Sequence, residues 1–448
     1  MRNLPHGTLS RQYLRRAASL TFITIVFLVL LIPIITRVWI GRKDTEDFVP
    51  IYRAAQALWN HQDIYAATDG LYIYPPFLAL LFQPLILLPE HAAAIFWAIV
   101  SALLIVLATR LAAIEMDKAW SPSSSRHDLS LSWIITAFAI LLSAEKIQAD
   151  LRLGQTDCLI LLGFALIIRW RYQRPWLTGL VVGATANMKY LSLIFLPYFV
   201  IKRNYRAAIA SIVWFIFFML LPTVEAGARE ATQFALSAAK ALLKMSGLTP
   251  PIPGEGAKIA SIAWGRSVSI TSAIVRATRF DGIAEPIGLA IVLALLLLLL
   301  AVIVTICQRN GIPIFRSVPV GSATQLRNST ASLEWATLIV FALVFSPQTT
   351  ARHMMLMLSV YTLALALMLY HPSKKMRAIL VISSILTAFG ISFPPRNSAV
   401  SEPLIVWRLM AGASLCAVFL LIVIVASGSR MLREIGREKE KSGPGSFG

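Results

Sequence analysis

Apolar runs long enough to cross a bilayer recur along almost the whole chain, separated by short polar turns, and this alternation predicts an all-α polytopic membrane protein. Spans are expected near 20–40, 91–113, 130–146, 156–170, 176–188, 190–202, 207–222, 283–307, 333–346, 352–370, 377–391 and 403–426, twelve crossings in all. One apolar run, residues 75–88, stands apart. It is about fourteen residues long, is flanked by Pro75 and Pro89 and is interrupted by Pro84, so it is expected to enter the outer half of the membrane without crossing. The spans 176–188 and 190–202 are short as well and predict a tight helical hairpin whose tip lies just inside the outer interface. The first run, Leu20 to Ile40, exceeds a signal-peptide core and lacks a small-residue cleavage site, which makes it a retained anchor.

Composition supports this reading: of 448 residues 57% are hydrophobic and 14% charged, with a mean hydropathy of +0.71. The net charge of +19 would suit nucleic acid, but Lys and Arg concentrate in tails and short turns beside apolar spans, which is the positive-inside pattern. No nucleic-acid partner is expected. Basic residues in both tails (Arg2, Arg11, Arg15, Arg16; Arg430, Arg433, Arg437, Lys439, Lys441) place both termini in the cytoplasm and require an even number of crossings. Basic turns at Arg169/Arg171/Arg174, Lys202/Arg203/Arg206, Arg309/Arg316/Arg327 and Lys374/Lys375/Arg377 mark further inner loops. A bacterial plasma membrane, crossed many times, is the expected location.

The expected organisation is a basic tail (1–19), an N-terminal transmembrane module (20–222) that includes the outer loop 41–90, a long outer loop (223–282) broken at Pro250-Pro251-Ile252-Pro253-Gly254, a C-terminal transmembrane module (283–427) and a basic tail (428–448). Outer loops of this length are usually functional. The amphipathic stretch Ile51 to Trp59 is expected to lie flat on the membrane surface. Cys158, Cys307 and Cys416 lie in apolar stretches without metal-ligand spacing, so neither a disulfide framework nor a metal site is expected. Asn328-Ser329-Thr330 matches a glycosylation sequon but falls on the inner side.

Sorted by side, the polar residues of the outer face are Asp44, Asp47, Tyr52, Tyr74, Gln155, Asp157, Lys189, Arg266, Arg352 and His353, several of them at the mouths of spans. A convergent pocket is expected there. Lys189, at the hairpin tip, is costly among apolar helices (about 2.5–3.5 kcal/mol at a helix centre, less toward the interface) and is a candidate for neutralising a phosphate. In Ser346 to His353, Pro347 fixes a turn while Arg352 and His353 present a cation and an imidazole to the same face. Lys189 snorkelling, Arg352 anchoring to headgroups, Thr156 capping a helix and solvated carboxylates in the 44–47 loop are the structural alternatives.

The succession Asp47-Phe48, Tyr52-Arg53-Ala54-Ala55, Tyr65, Tyr74-Pro75-Pro76-Phe77, Gly154-Gln155, Asn187-Met188-Lys189 and Ser346-Pro347 with His353 resembles the polyprenyl-phosphate-mannose-dependent mannosyltransferases of glycosyltransferase family 87, over roughly residues 20–360. The resemblance implies a GT-C-like fold, a polyprenyl-phosphate-linked sugar donor, a glycan or glycolipid acceptor, membrane lipids as surroundings, inverting transfer at the extracytoplasmic face, no cofactor and no metal. It also implies a catalytic carboxylate in the first outer loop, which maps onto Asp47. The sequence departs from the family at Trp264-Gly265-Arg266-Ser267-Val268, where Gly-Asn-Gln-Ser-Leu is common, and after Ser346-Pro347, where Gln348 to His353 lacks a Trp and has one His.

Loss of a phosphate leaving group places new negative charge beside fixed cations, for which Lys189 with Arg266 or Arg352 are the candidates. Only the acceptor hydroxyl then needs a base, so one carboxylate, Asp47, suffices. Tyr52, Tyr74, Gln155, Asn187 and His353 are the candidate substrate contacts. A transporter or flippase of a lipid-linked or anionic solute would also suit twelve crossings. The chain, however, shows no internal repeat, and its charges cluster at one face rather than the midplane.

Overall fold

The computed structural model describes residues 6–40, 47–121, 129–245, 261–316, 324–392 and 402–441. The described residues are overwhelmingly α-helical, and their only bridge outside helices joins Ser267 to Thr350. Seven helices among them are long and apolar enough to cross a membrane: Tyr13–Trp39, Glu90–Trp120, Tyr205–Ala226, Glu285–Arg309, Ala351–Tyr370, Lys374–Ser392 and Gly412–Ile435. Ser130–Leu142 and Ala144–Leu153 pass the same test together but are bent by 69°. The chain is an all-α polytopic membrane protein.

The remaining apolar helices are shorter, and their breaks have local causes. Pro76–Leu87 changes from α to 3-10 at Gln83-Pro84, because proline lacks the N–H that continues an α-helix. At about 1.5–2 Å per residue this piece is shorter than the hydrocarbon core. Pro175–Ala186 and Tyr190–Ile201 form the hairpin around Lys189. Its first arm packs closely on Tyr205–Leu220 through Gly179 and Gly183, where a Cβ would lie 2.4 Å from the Ala210 Cβ and 2.6 Å from the Phe215 N. Small residues four apart allow this approach between helix backbones.

Several elements differ from the sequence reading. The 333–346 span is part of a longer helix, Thr324–Val344, in which Arg327 is helical rather than in a loop. The 352–370 span begins as a 3-10 segment, Ala351–Met357, and becomes α-helical at Leu358. The 403–426 span is broken: Glu402–Leu409 ends at Ala411, whose φ is +59°, and Gly412–Lys441 continues. Any side chain at Gly412 would collide with the Trp407 ring, so the break is built into the packing. The last helix runs on to Lys441, through much of the stretch expected as a tail.

The helix Phe48–Trp59 also departs from expectation. Phe48, Ile51, Tyr52, Ala54, Ala55, Ala57 and Leu58 are buried, so its apolar face packs on the protein and does not lie on the membrane surface. Phe82 packs on Phe48, with ring centroids 6.3 Å apart, and on Trp97, 4.7 Å apart. The two long loops are joined: the Tyr65 hydroxyl lies 3.1 Å from the Tyr74 carbonyl and 3.3 Å from the Phe234 carbonyl. The Pro250–Gly254 break, Asp44 and Glu46 lie outside the described residues.

The four basic turns gather at one end of the bundle. Lys202 donates to Glu334 (2.9 Å) and to the Arg316 carbonyl (2.6 Å). Asn204 donates to the Arg171 carbonyl (2.8 Å), Arg171 to Asn328 (3.1 Å), Arg169 to Glu115 (3.1 Å), and Tyr370 to Asp117. Glu334 is fully buried and also accepts from Tyr198 (2.8 Å) and the Phe315 N–H (2.6 Å). These contacts satisfy a carboxylate that would otherwise be prohibitive to bury. The sequon Asn328 is helical and engaged by Arg171.

Candidate active site

At the other end of the bundle, four segments distant in sequence converge. The first is the start of the Phe48–Trp59 helix, where Asp47 occupies the N-cap and its N–H donates to the Leu153 carbonyl at 3.2 Å. Leu153 ends Ala144–Leu153, and Gly154 then reverses the chain with φ +68°. A Cβ on Gly154 would sit 2.6 Å from the Phe48 Cβ, so a left-handed conformation and a close approach both require glycine. The Trp97 indole donates to the carbonyls of Gly154 and Gln155, each at 3.2 Å, and fixes this turn before the helix Asp157–Trp170 begins.

The third segment is the hairpin tip. Asn187 donates from one amide to the carbonyls of Gly183 and Phe215, both at 2.9 Å, and thereby ties the tip to the neighbouring helix. Lys189 then extends inward, donating to Asp157 Oδ1 at 2.5 Å and Gln155 Oε1 at 3.0 Å, with its Nζ 6.0 Å from the centroid of the Tyr74 ring. Burial among apolar helices opposes the Lys189 charge, and the paired Asp157 carboxylate offsets that cost.

The fourth segment, Ser346–His353, is held by Thr271 on the Phe345 carbonyl (2.9 Å), Ser272 on the Pro347 carbonyl (2.7 Å) and the Val268 N–H on the Thr349 carbonyl (2.7 Å). From it, Arg352 donates to Asp47 Oδ2. The Thr350 N–H donates to His353 Nδ1 at 3.2 Å, which leaves His353 Nε2 directed at Asp157 Oδ2, 3.9 Å away.

The arrangement therefore contains two cation–carboxylate pairs, Arg352–Asp47 and Lys189–Asp157. They differ in access. Asp157 is fully buried, whereas the side chains of Asp47 and Arg352 are 29% and 24% exposed, so the first pair is the one open to a ligand. Asp150 adds a third acid. It is fully buried, neither of its carboxylate oxygens has a hydrogen-bond partner among the described residues, and it lies within electrostatic reach of Asp157, Lys189 and Arg352.

Of the residues singled out from the sequence, Asp47, Tyr74, Gln155, Lys189, Arg352 and His353 come together here. Tyr52 does not present its hydroxyl to the site, because it donates to the Leu88 carbonyl at 2.7 Å. Asn187 is buried and committed to the hairpin. Arg266 is exposed on the loop beside this segment, next to Arg408 and not to Lys189. The sequence reading collected Asp157 on the outer face without giving it a role, and it missed Asp150. Asp150 falls in the polar stretch between the spans expected at 130–146 and 156–170, so nothing in the local sequence set it apart from Glu145 and Arg152.

Comparison with known proteins places the chain in a family. Residues 72–323, more than half of the chain, match the profile of glycosyltransferase family 87. A polyprenol-phosphate-mannose-dependent alpha-(1-2)-phosphatidylinositol pentamannoside mannosyltransferase of Mycobacterium tuberculosis is 31% identical over 147 residues, 32% of this chain and 32% of that protein. A polyprenol-phosphate-mannose-dependent alpha-(1-2)-phosphatidylinositol mannoside mannosyltransferase of the same species is 29% identical over 161 residues, 35% of this chain and 37% of the relative. An alpha-(1->3)-arabinofuranosyltransferase, also from M. tuberculosis, is 31% identical over 180 residues, 38% and 39% of the two chains. The matched region thus spans between 32% and 39% of each relative. The chain belongs to glycosyltransferase family 87.

Proposed function

We propose that the protein is a membrane glycosyltransferase that moves a sugar from a polyprenyl-phosphate donor to a hydroxyl of a lipid- or polymer-linked glycan, at the extracytoplasmic face and with inversion. The observation that carries this reading is the accessible Asp47–Arg352 pair, a carboxylate beside a fixed cation at the rim of a buried charged cluster. The acceptor oxygen attacks the anomeric carbon and forms the new glycosidic bond. The bond from that carbon to the phosphate oxygen breaks, its electron pair leaves on the phosphate, and the acceptor proton passes to Asp47. Arg352 orients Asp47 through their hydrogen bond and faces the phosphate as charge develops there. Lys189 adds positive potential from below, although Asp157 already neutralises part of it. Tyr74, Gln155 and His353 line the sugar side.

Mannose is the preferred sugar because two of the similar proteins are named as polyprenol-phosphate-mannose-dependent mannosyltransferases. Arabinofuranose is the second reading, supported by the similarity to an arabinofuranosyltransferase. Full-length protein in lipid nanodiscs, given polyprenyl-phosphate mannose or polyprenyl-phosphate arabinose with a mannosylated phosphatidylinositol acceptor, tests both. Donor-dependent extension of the acceptor supports transfer. Donor translocation without extension would instead favour a flippase.

A further inference from the structure

Three arginines gather at the same end of the bundle, outside the cluster around Asp47 and Lys189. The 261–269 loop turns back on itself through Trp264 N–H to Ser261 and Ser267 N–H to Trp264 contacts of 2.9 and 3.0 Å. From the helix Ile270–Phe280, Arg276 donates to the carbonyls of Trp264 (2.8 Å) and Ser267 (3.3 Å) and, through its other terminal nitrogen, to the carbonyl of Leu409. One guanidinium thus fastens this loop to the end of the helix Glu402–Leu409. Gly265 lies against Leu409, where a Cβ would be 3.9 Å from its Cδ2. Arg266 and Arg408 are thereby brought into mutual repulsion, and Arg408 also repels Arg276.

Arg276 is used up by backbone carbonyls, but Arg266 and Arg408 make no ion pair or hydrogen bond to the described protein. Two like charges cost about 1 kcal/mol at 4 Å even in water, and more beside a low-dielectric core. Among the described residues no carboxylate pairs with either of them to offset that cost. A planar guanidinium fork matches a phosphate in bidentate geometry, and paired forks match it better than any neutral ligand. The surroundings indicate where such a phosphate comes from. Phe280, at the end of the Arg276 helix, is 92% exposed, and Met410, next to Leu409, is 68% exposed. Large exposed apolar side chains around a basic patch fit the headgroup level of a bilayer, where basic pockets hold lipid phosphates.

The geometry points to a second anion site, in which Arg266 and Arg408 bind the phosphate of a membrane-borne anionic lipid while Arg276 fixes the loop that presents them. The site adjoins the first. Ser267, next to Arg266, bridges to Thr350, two residues from Arg352, so a lipid held here keeps its headgroup beside the Asp47–Arg352 pair. The site is defined by binding and stands or falls independently of glycosyl transfer.

The test compares wild-type full-length protein with Arg266→Gln, Arg408→Gln and the double variant, purified in neutral detergent and titrated with phosphatidylinositol, phosphatidylglycerol or phosphatidylcholine by native mass spectrometry. Neither side chain has a partner among the described residues, so all three variants should retain the wild-type melting temperature. The double variant should bind both anionic lipids about tenfold or more weakly, with each single variant between. Phosphatidylcholine binding should not change, and millimolar inorganic phosphate should not displace the bound lipid. Unchanged affinity for the anionic lipids in the single and double variants would overturn the site. So would equal loss of phosphatidylcholine, and displacement by inorganic phosphate would assign the arginines to a free anion.

Discussion

Arg352 donates to the carboxylate of Asp47 across 305 residues of chain, and this pair joins the first outer loop to the segment that follows the Thr324–Val344 helix. A surface ion pair alone contributes little to stability. Its importance lies in position, since Asp47 is also anchored by its backbone to Leu153, on the helix that leads into the Gly154–Asp157 turn. Several consequences can be measured.

Gly154→Ala should be damaging out of proportion to its size. The added methyl would meet the Phe48 Cβ at 2.6 Å in a left-handed backbone, which together cost about 1–3 kcal/mol or displace the Phe48 helix. Because Asp47 immediately precedes that helix, turnover should fall about tenfold or more, with a lower melting temperature. Wild-type turnover would show that the turn does not position Asp47.

Lys189→Met tests the buried pair. As a candidate phosphate-neutralising cation Lys189 would be expected to affect donor binding, and the structure adds a stability penalty. Asp157 is fully buried, and removing its cation leaves an uncompensated charge, a loss of about 3–5 kcal/mol. The double variant Lys189→Met/Asp157→Asn should regain thermal stability but not wild-type donor KM or kcat. Full activity in the double variant would make the pair purely structural.

At the opposite end, Glu334→Gln should leave Lys202 without its counter-ion and destabilise the protein by about 3–5 kcal/mol. Purified enzyme should keep its donor KM, since Lys202, Tyr198 and Phe315 belong to the basic-turn end. A raised KM with an unchanged melting temperature would contradict this division of the molecule.

Topology is open to labelling. Single cysteines at Leu81 and Glu90, both exposed on the outer surface of the protein, flank the 3-10 piece that interrupts the Pro76–Leu87 segment. An impermeant thiol reagent should reach Glu90→Cys from the extracytoplasmic side of intact cells, with Leu81→Cys either reached from that side or shielded by lipid. Labelling of Glu90→Cys from the cytoplasm alone would refute a non-crossing segment.

Much of the site was legible because membrane sequences advertise polar residues: Asp47, Lys189, Arg352 and His353 each interrupt or flank apolar runs, where charge is expensive. Their partners were not legible. Nothing in the local sequence says that Lys189 meets Asp157 or that Arg352 meets Asp47, because those contacts depend on how segments 32 and 305 residues apart pack. The same limit explains Tyr52 and Asn187, whose polar groups read as ligands but serve the Leu88 and Phe215 carbonyls. The Ile51–Trp59 stretch has the periodicity of an interfacial helix, and periodicity cannot distinguish a face turned to lipid from one buried in the protein, as Ile51, Ala54, Ala55 and Leu58 are.

The most direct measurement is the turnover of Asp47→Asn with saturating polyprenyl-phosphate donor. The amide keeps the shape and one hydrogen-bond acceptor for Arg352 but removes the proton acceptor, so kcat should fall by about 10²–10⁴. Donor binding should persist, because a neutral group beside a phosphate removes repulsion. Asp63→Asn is the control: its Oδ1 serves only as a cap for the Tyr65 and Ala66 N–H groups, a role that asparagine preserves, and its turnover should stay near wild type. Near-wild-type turnover of Asp47→Asn at saturating donor would contradict the assignment of Asp47 as the base.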